Sequence, residues 1–525
     1  MPSAAKHVLV LLAVTFVLFF PSLTASFVYD DHFLIEKNPF LSSPRAVKMA
    51  FTTDYYAQSN PLYRLGYYRP LAILSHWIDW QLWHDNPFGH HLTNVAMHLG
   101  VVVLLYFCVL RILEDPLLSF FTALVFALHP AHVSTVTFVS ARVDMLATLF
   151  VLATLLVFTK KKALAPPFYF LGLLSKEMSV TAPALVWWRE RERGLRSAFL
   201  WMIPFTAVLA LVVALRWSVL GRPTRGEFVL DAQSLWNLLE YVRLMVLPPV
   251  QLYLEPSAPP APAVTNVLVF AAVIAAVVLH PDRRRAMWSA VWLITLLPVL
   301  GLVRIETTID QRFVYLPSVG VCLLAASWVI TYLKRSRPDG DVPVRDVRIA
   351  TVAVAALCAP LLLTQQAYWQ SDLSLWGAAV DAEPDAARPR YRYAMALIDN
   401  RQPALAEREL KEALRRKQDD PSITGAIYAN IAIARQLQRR SDGVEALYRR
   451  AIELRPKYET AHYNLGMHLA QLGRIDEAIV QFEKAVEANP YSAQARLYLA
   501  DLLDRRGRKR EAQQHRRFVQ TLYGQ

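Results

Sequence analysis

Cysteine is nearly absent. Cys108, Cys322 and Cys358 are the three in 525 residues. Each stands inside an apolar run, and none forms a CxxC or metal-ligand spacing. They therefore read as small core hydrophobes, which excludes a cysteine-built metal or redox centre. Charge is also sparse, at 19% of residues, and acids are the minority, 43 against 56 Lys and Arg. Acids placed so as to share a metal ion are few. The pattern of apolar runs shows no internal duplication, which argues against a transporter built from repeated halves. In the turns between those runs, Gly, Ser and Asn do not dominate as they would in bland loops.

What is present is hydrophobicity. The chain is 54% apolar with a mean hydropathy of +0.26. The excess lies in the first two-thirds, in runs close to the length of about 17 or more residues that a bilayer demands. We read eleven spans, near 7–27, 91–111, 117–134, 143–159, 163–175, 178–188, 197–218, 262–280, 286–303, 314–333 and 348–367. The runs 163–175 and 178–188 are short enough to be re-entrant or broken helices. The net charge of +13 would raise nucleic acid in a soluble chain. Here the basic residues sit between apolar runs, at Lys160–Lys162, Arg189–Arg196, Arg283–Arg285 and Lys334–Arg348. Placed on the cytoplasmic side, these clusters put the N-terminus inside and the C-terminus outside. Segments 28–90, 135–142, 219–261 and 304–313 then face outward, and no nucleic-acid partner is expected. Segment 235–256 is apolar but breaks the parity, and its Pro248–Pro249 pair marks it as interfacial or re-entrant. The basic first residues and the small-residue end of the opening run resemble a signal peptide, but an uncleaved span agrees better with the many spans that follow.

Segment 28–90 is too long for a turn. Its "RPLAILSHWIDWQLW" carries Trp77, Trp80 and Trp83 at helical spacing, which predicts an amphipathic helix along the membrane surface. The adjacent Asp30 and Asp31 stand at the entrance to this segment.

Past residue 368 the sequence turns charged and rich in Ala and Leu. In 461–490, Leu465, Gly466, Gly473, Ala478, Phe482, Ala485 and Pro490 alternate small and large in the manner of a tetratricopeptide unit. The pattern returns 34 residues later at Leu499, Ala500, Gly507, Ala512 and Val519, and 34 earlier at Ile431, Ala432, Tyr448, Ala451 and Pro456. A looser unit precedes these with Ala394, Ala406 and Ala413, and "SLWGAAVDAEP" makes a half-unit. The fold class is therefore all-α: a polytopic membrane domain, 1–368, followed by a repeat α-solenoid, 369–525. Such a solenoid offers a concave surface for a protein or peptide partner.

Five outward turns carry ionisable groups, which at membrane depth are functional candidates by default. They are Asp30 and Asp31; Asn86, His91, Asn94 and His98; His129, His132, Arg142 and Asp144; Lys176 and Glu177; and Glu306, Asp310, Arg312 and Tyr315. Arg and Lys can clamp a phosphate, and a carboxylate can act as general base toward a hydroxyl. The set fits a transferase that takes a sugar from a lipid-linked phosphate, with Arg312 or Lys176 at the phosphate and Asp30 or Asp31 at the acceptor. His129 and His132 offer two ligands on one face but no third, so no metal is expected. Lys176–Glu177 and Arg142–Asp144 also read as structural charge pairs.

In order along the chain, "FVYDDHFLIEKNPFL", "RPLAILSHWIDWQLWHDNPFGHHLTNVAMH", "ALHPAHVSTVTFVSARVDML", "LGLLSKEMSVTAPAL" and "QRFVYLPSVG", followed by repeats, resemble the transmembrane and tetratricopeptide-repeat O-mannosyltransferase-like family. The resemblance implies a GT-C glycosyltransferase fold, a polyprenyl- or dolichyl-phosphate sugar donor, and inverting transfer to a hydroxyl, with no separate cofactor. It implies that the acidic pair, here Asp30 and Asp31, is catalytic. It carries over Arg142, Lys176 and Arg312 as donor-phosphate groups. Glu177, His91, His129, His132, Asp144 and Tyr315 would support them. The chain departs from the family at Ser134, where relatives often have Glu, and its repeat array is shorter. The leading expectation is a membrane hexosyltransferase that moves a hexose, mannose in the first instance, to Ser or Thr of a protein held by the repeats, in a bacterial inner membrane with the repeats periplasmic. The rival is a non-catalytic membrane scaffold whose repeats assemble envelope complexes.

Overall fold

The computed structural model describes residues 2–59, 61–222, 232–247, 264–300, 310–335, 342–416 and 421–523. Glu306, Pro248 and Pro249 lie outside these residues. Contacts divide the chain into two units, Met1–Ser59 with Tyr63–Ser371, and Asn60–Leu62 with Asp372–Gln525.

The first unit is built from α1 (Pro2–Phe19), α2 (Arg45–Thr52), α3 (Pro70–Trp83), α4 (Pro87–Leu113), α5 (Pro116–Ala127), α6 (Val133–Thr137), α7 (Arg142–Lys160), α8 (Ala165–Ser175), α9 (Ala182–Arg191), α10 (Leu195–Leu220), α11 (Ala232–Val246), α12 (Val264–Val278), α13 (Arg283–Val291), α14 (Ser318–Arg335) and α15 (Val344–Tyr368). Among the described residues, five stretches are long and apolar enough to cross a membrane: Ala4–Thr24, Pro87–Leu113, Val139–Lys160, Leu195–Leu220 and Val344–Tyr368. Apolar side chains such as Leu9, Leu200, Ile203 and Leu357 stand exposed on them, as side chains facing lipid must.

Several starts and breaks are legible in local chemistry. Asn86 caps α4 by accepting from Phe88 N at 3.2 Å, and Asp115 caps α5 by accepting from Leu117 N and Leu118 N at 3.0 Å. Each cap is followed by proline at the first helical position. The run 117–134 is not one straight helix. Pro116–Ala127 and Pro130–Thr137 meet at 55°, because His129 is extended ahead of Pro130, whose nitrogen cannot donate. The short runs 163–175 and 178–188 meet at Lys176, whose extended backbone separates α8 from a 3-10 turn, Glu177–Thr181. That break sets Lys176 and Glu177 at a helix junction instead of along a span. Segment 286–303 likewise passes from α13 into a 3-10 stretch, Trp292–Val299. The first half of 235–256 falls in α11.

The segment between α1 and α4 forms a folded layer. Phe27, Leu34, Ile35, Leu41, Ala50, Tyr55, Ala72 and Ile73 form one buried cluster with Val139 and Val143. Trp77 and Trp80 pack against that cluster, and Trp83 lies so close over Gly89 that a Cβ there would meet the indole at 2.2 Å. Helix α3 is thus docked by its tryptophans, while Ile78 and Leu82 remain exposed.

The second unit is a run of antiparallel pairs: α16 (Asp372–Ala382), α17 (Ala387–Asp399), α18 (Pro403–Arg415), α19 (Pro421–Leu437), α20 (Val444–Leu454), α21 (Glu459–Gln471), α22 (Ile475–Ala488), α23 (Ala493–Arg505) and α24 (Lys509–Tyr523). The phased positions are its core. Ala432, Tyr448, Ala451, Leu465, Ala478, Phe482, Leu499, Ala500 and Ala512 are buried together. Gly466 lets the Phe482 ring close to 3.0 Å of where a Cβ would stand.

Candidate active site

The two adjacent aspartates have different surroundings. Tyr29 precedes them with φ of 53°, a left-handed conformation uncommon outside glycine. Beyond it, Asp31 is fully buried. Its carboxylate accepts from Ser140 N at 2.7 Å, Ser140 Oγ at 2.5 Å, Val139 N at 3.2 Å and Val28 N at 3.4 Å. Burial pushes the Asp31 carboxyl up to about 7, although these four donors pull the other way. Asp31 thereby ties the segment after α1 to the turn that leads into α7.

Asp30 is only partly buried and accepts from the Tyr56 hydroxyl at 3.1 Å. Asp310, Tyr56, Asp144 and Asp30 all lie within electrostatic reach of the Arg312 guanidinium. Arg312 binds Asp310 through Nε at 2.6 Å and stands 5.6 Å from the Phe138 and Phe313 ring centroids. Lys176 pairs with Asp144 and lies 4.5 Å from the other contact partner of Arg312, the Phe313 ring. Glu177 is bound by Arg69 at 2.9 and 3.3 Å and by Arg216 at 3.6 Å. Burial would raise the Glu177 carboxyl, but Arg69 and Arg216 outweigh it and hold it down at about 2. Asp30, Asp144, the Lys176–Glu177 pair and Arg312, from separate segments of the chain, are thus gathered with Tyr56 and Arg69 into one polar cluster. Its cations Arg69, Lys176, Arg216 and Arg312 are met by Glu177, Asp144 and Asp310. Cations so held are pre-positioned for an anion that enters among them.

Arg142 lies beside this cluster but is fully buried. It bonds Asp79 at 2.6 Å, Asn94 Oδ1 at 3.0 Å, and the Ser75 and His90 carbonyls at 3.3 Å. Its guanidinium joins α3 and α4 to the start of α7. The histidines are placed elsewhere. His98 bonds the Tyr315 hydroxyl at 2.6 Å and the Ala127 carbonyl at 3.2 Å. His132 bonds the Phe126 carbonyl at 2.8 Å and Ser318 Oγ at 2.9 Å, and His129 bonds the Met245 carbonyl at 2.8 Å. His91 is buried beside the Ala25–Ser26 backbone. Together with Tyr315 the rings of His98, His129 and His132 cluster at the bend between α5 and α6. Among the described residues, no group of three or more His, Cys, Asp or Glu is placed to hold a metal ion.

Sequence reasoning did not single out Tyr56, Arg69, Asp79, Ser140 or Arg216. Arg216 carried a readable signal, a lone arginine inside the apolar run "LVVALRWSVL". Asp79, lone among tryptophans, carried another. Tyr56, Arg69 and Ser140 acquire their roles only through partners distant in sequence.

A family profile described as "Tetratricopeptide repeat" matches residues 429–493 and 473–514. The chain is 26% identical over 431 residues to protein O-mannosyl-transferase F38B6.6 of Caenorhabditis elegans, covering 75% of this chain and 60% of that one. It is 24% identical over 467 residues to protein O-mannosyl-transferase TMTC1 of Homo sapiens, covering 72% and 51%. It is 33% identical over 158 residues to protein O-mannosyl-transferase TMTC3 of Mus musculus, covering 30% and 17%. The chain thus spans less than two thirds of the length of each of these relatives. Among solved structures, the crystal structure of MamA is similar over 29% of this chain and 85% of that one, at 19% identity and a TM-score of 0.25.

Proposed function

We propose that the chain, which is similar to protein O-mannosyl-transferases over about three quarters of its length, is a membrane glycosyltransferase acting on protein. The donor is a polyprenyl- or dolichyl-phosphate hexose, mannose in the first instance. The acceptor is a Ser or Thr hydroxyl, and transfer occurs on the extracytoplasmic face of a multi-pass chain in a bacterial inner membrane. The repeat unit supplies a surface for the acceptor protein.

The observation that carries this reading is the division of labour between Asp30 and Asp31. Asp31 spends its oxygens on four donors of the fold, so it anchors. Asp30 lies within electrostatic reach of Arg312, which shares Asp144 with Lys176, so it acts. In the reaction, Asp30 accepts the proton of the acceptor hydroxyl as the oxygen attacks the sugar carbon. The bond from that carbon to the phosphate oxygen breaks, and the lipid phosphate leaves with the electron pair. Arg312 and Lys176 meet the charge that grows on it. Arg142 acts through position, holding α3, α4 and α7 in register.

The test is transfer from a panel of radiolabelled polyprenyl-phosphate sugars in membranes containing the full chain. Asp30→Asn is expected to lower turnover by about 10²- to 10⁴-fold, the range for removal of a general base. Full activity of Asp30→Asn would overturn the assignment and favour the scaffold reading.

A further inference from the structure

The base is held by a loop whose own anchoring is unusually complete. Asp54 is buried, and its carboxylate accepts three backbone N–H groups: Tyr56 N at 2.9 Å, Gly66 N at 2.5 Å and Tyr67 N at 3.0 Å. Tyr55 N donates to the Tyr67 carbonyl at 2.8 Å, beside the same clamp. Gly66 has φ of 81°, a conformation that suits glycine and lets its N–H turn back to Asp54. One carboxylate thus joins the two ends of segment 54–67 and fixes the backbone of Tyr56.

The Tyr56 ring is fixed as well. It stacks on Phe33 at 6.4 Å, meets Tyr55 edge-on at 5.3 Å, and lies 5.6 Å from Tyr67. Tyr67 in turn lies under the Arg69 guanidinium at 4.2 Å. With its backbone and ring both held, the phenol oxygen is kept beside Asp30, and its hydroxyl donates to Asp30 Oδ2 at 3.1 Å.

We propose that Tyr56 is a positioning residue for the reaction: its hydroxyl, fixed by the Asp54 clamp, holds the Asp30 carboxylate in the orientation and the ionised form that a general base requires. The proposal rests on the reading of Asp30 as base. A donor to the charged form favours that form, so losing the Tyr56 hydroxyl raises the pH at which Asp30 becomes ionised. The other charged or titratable groups around this pair are Arg312 and Asp310 from the turn before α14, Asp31 on its own turn, Asp144 from α7, and the Tyr55 and Tyr67 hydroxyls. Tyr56→Phe removes none of them, so a shifted profile reports the lost hydroxyl.

The experiment compares wild type, Tyr56→Phe and Asp30→Asn, each as the full chain in lipid nanodiscs, with a polyprenyl-phosphate hexose and a Ser/Thr peptide. Tyr56→Phe is expected to lower kcat about tenfold to a hundredfold, with KM for donor and peptide little changed. The acid limb of its pH–rate profile is expected to move about one unit upward. The position of that limb does not depend on how much of the variant is folded. An unshifted limb with Asp30→Asn inactive overturns the role of Tyr56 and leaves Asp30 as base. A change confined to KM overturns it equally, because Tyr56 would then be a binding group. An active Asp30→Asn removes the base itself, a failure of the functional reading that is separate from either result.

Discussion

At the scale of single residues, neighbours in sequence are separated by backbone direction. Left-handed Tyr29 and the turn after it send Asp31 into the fold and Asp30 to the polar cluster. This gives Asp31 a testable signature. An unfolded aspartate titrates near about 3.9, and the buried one near about 7. Between those values the folded chain holds a proton that the unfolded chain has released. Stability from this group is therefore full below pH about 4 and falls as pH rises to about 7. Thermal unfolding in detergent at a series of pH values is expected to show that slope in wild type, and a flatter one in Asp31→Asn. Ser140→Ala removes the hydroxyl that faces Asp31. It is expected to lower stability by about 1–3 kcal/mol, the cost of leaving a buried acceptor short of a donor, measured by the same unfolding.

At the scale of elements, the site is made where helices stop. Lys176 and Glu177 are brought to the cluster by the break after α8, His129 and Pro130 mark the bend after α5, and Arg312 and Phe313 sit in a 3-10 turn ahead of α14. Irregular backbone at membrane depth is tolerated where protein surrounds it and its polar groups find partners. Arg142 is such a partner, joining three helices through Asp79, Asn94 and two carbonyls. Arg142→Ala leaves Asp79 buried without its cation. It is expected to cost about 3–5 kcal/mol and to depress the yield of folded chain, read by size-exclusion chromatography. In the repeat unit, Gly466→Ala would set a methyl 3.0 Å from the Phe482 ring. A destabilisation of about 1–3 kcal/mol is expected, seen in the melting of the full chain.

At the scale of the whole molecule, two kinds of sequence pattern were readable to different depths. The repeats were legible nearly residue by residue, because their core is local: Leu465, Gly466 and Phe482 belong to one helical pair, and the same contacts recur at a fixed period. The membrane unit was legible as apolar runs, because hydropathy is additive along a helix. Whether each run is straight was not, as 117–134 shows, since the bend depends on how His129 and Pro130 are held. The candidate acids and cations were visible as types, because a charge at membrane depth is conspicuous in any apolar sequence. Their grouping was invisible, because Asp30, Tyr56, Asp144, Lys176 and Arg312 lie on separate segments. By itself, then, the sequence determined the helical class, the apolar and repeat parts, and the short set of charged residues that stand out among apolar runs. The tertiary structure alone decided which members of that set share a cluster and which are spent on the fold. The reason is physical: composition and periodicity are properties of neighbouring residues, whereas the exposure of Asp30, the burial of Asp31 and the pairing of Arg142 with Asp79 are set by groups that meet only after the chain has folded.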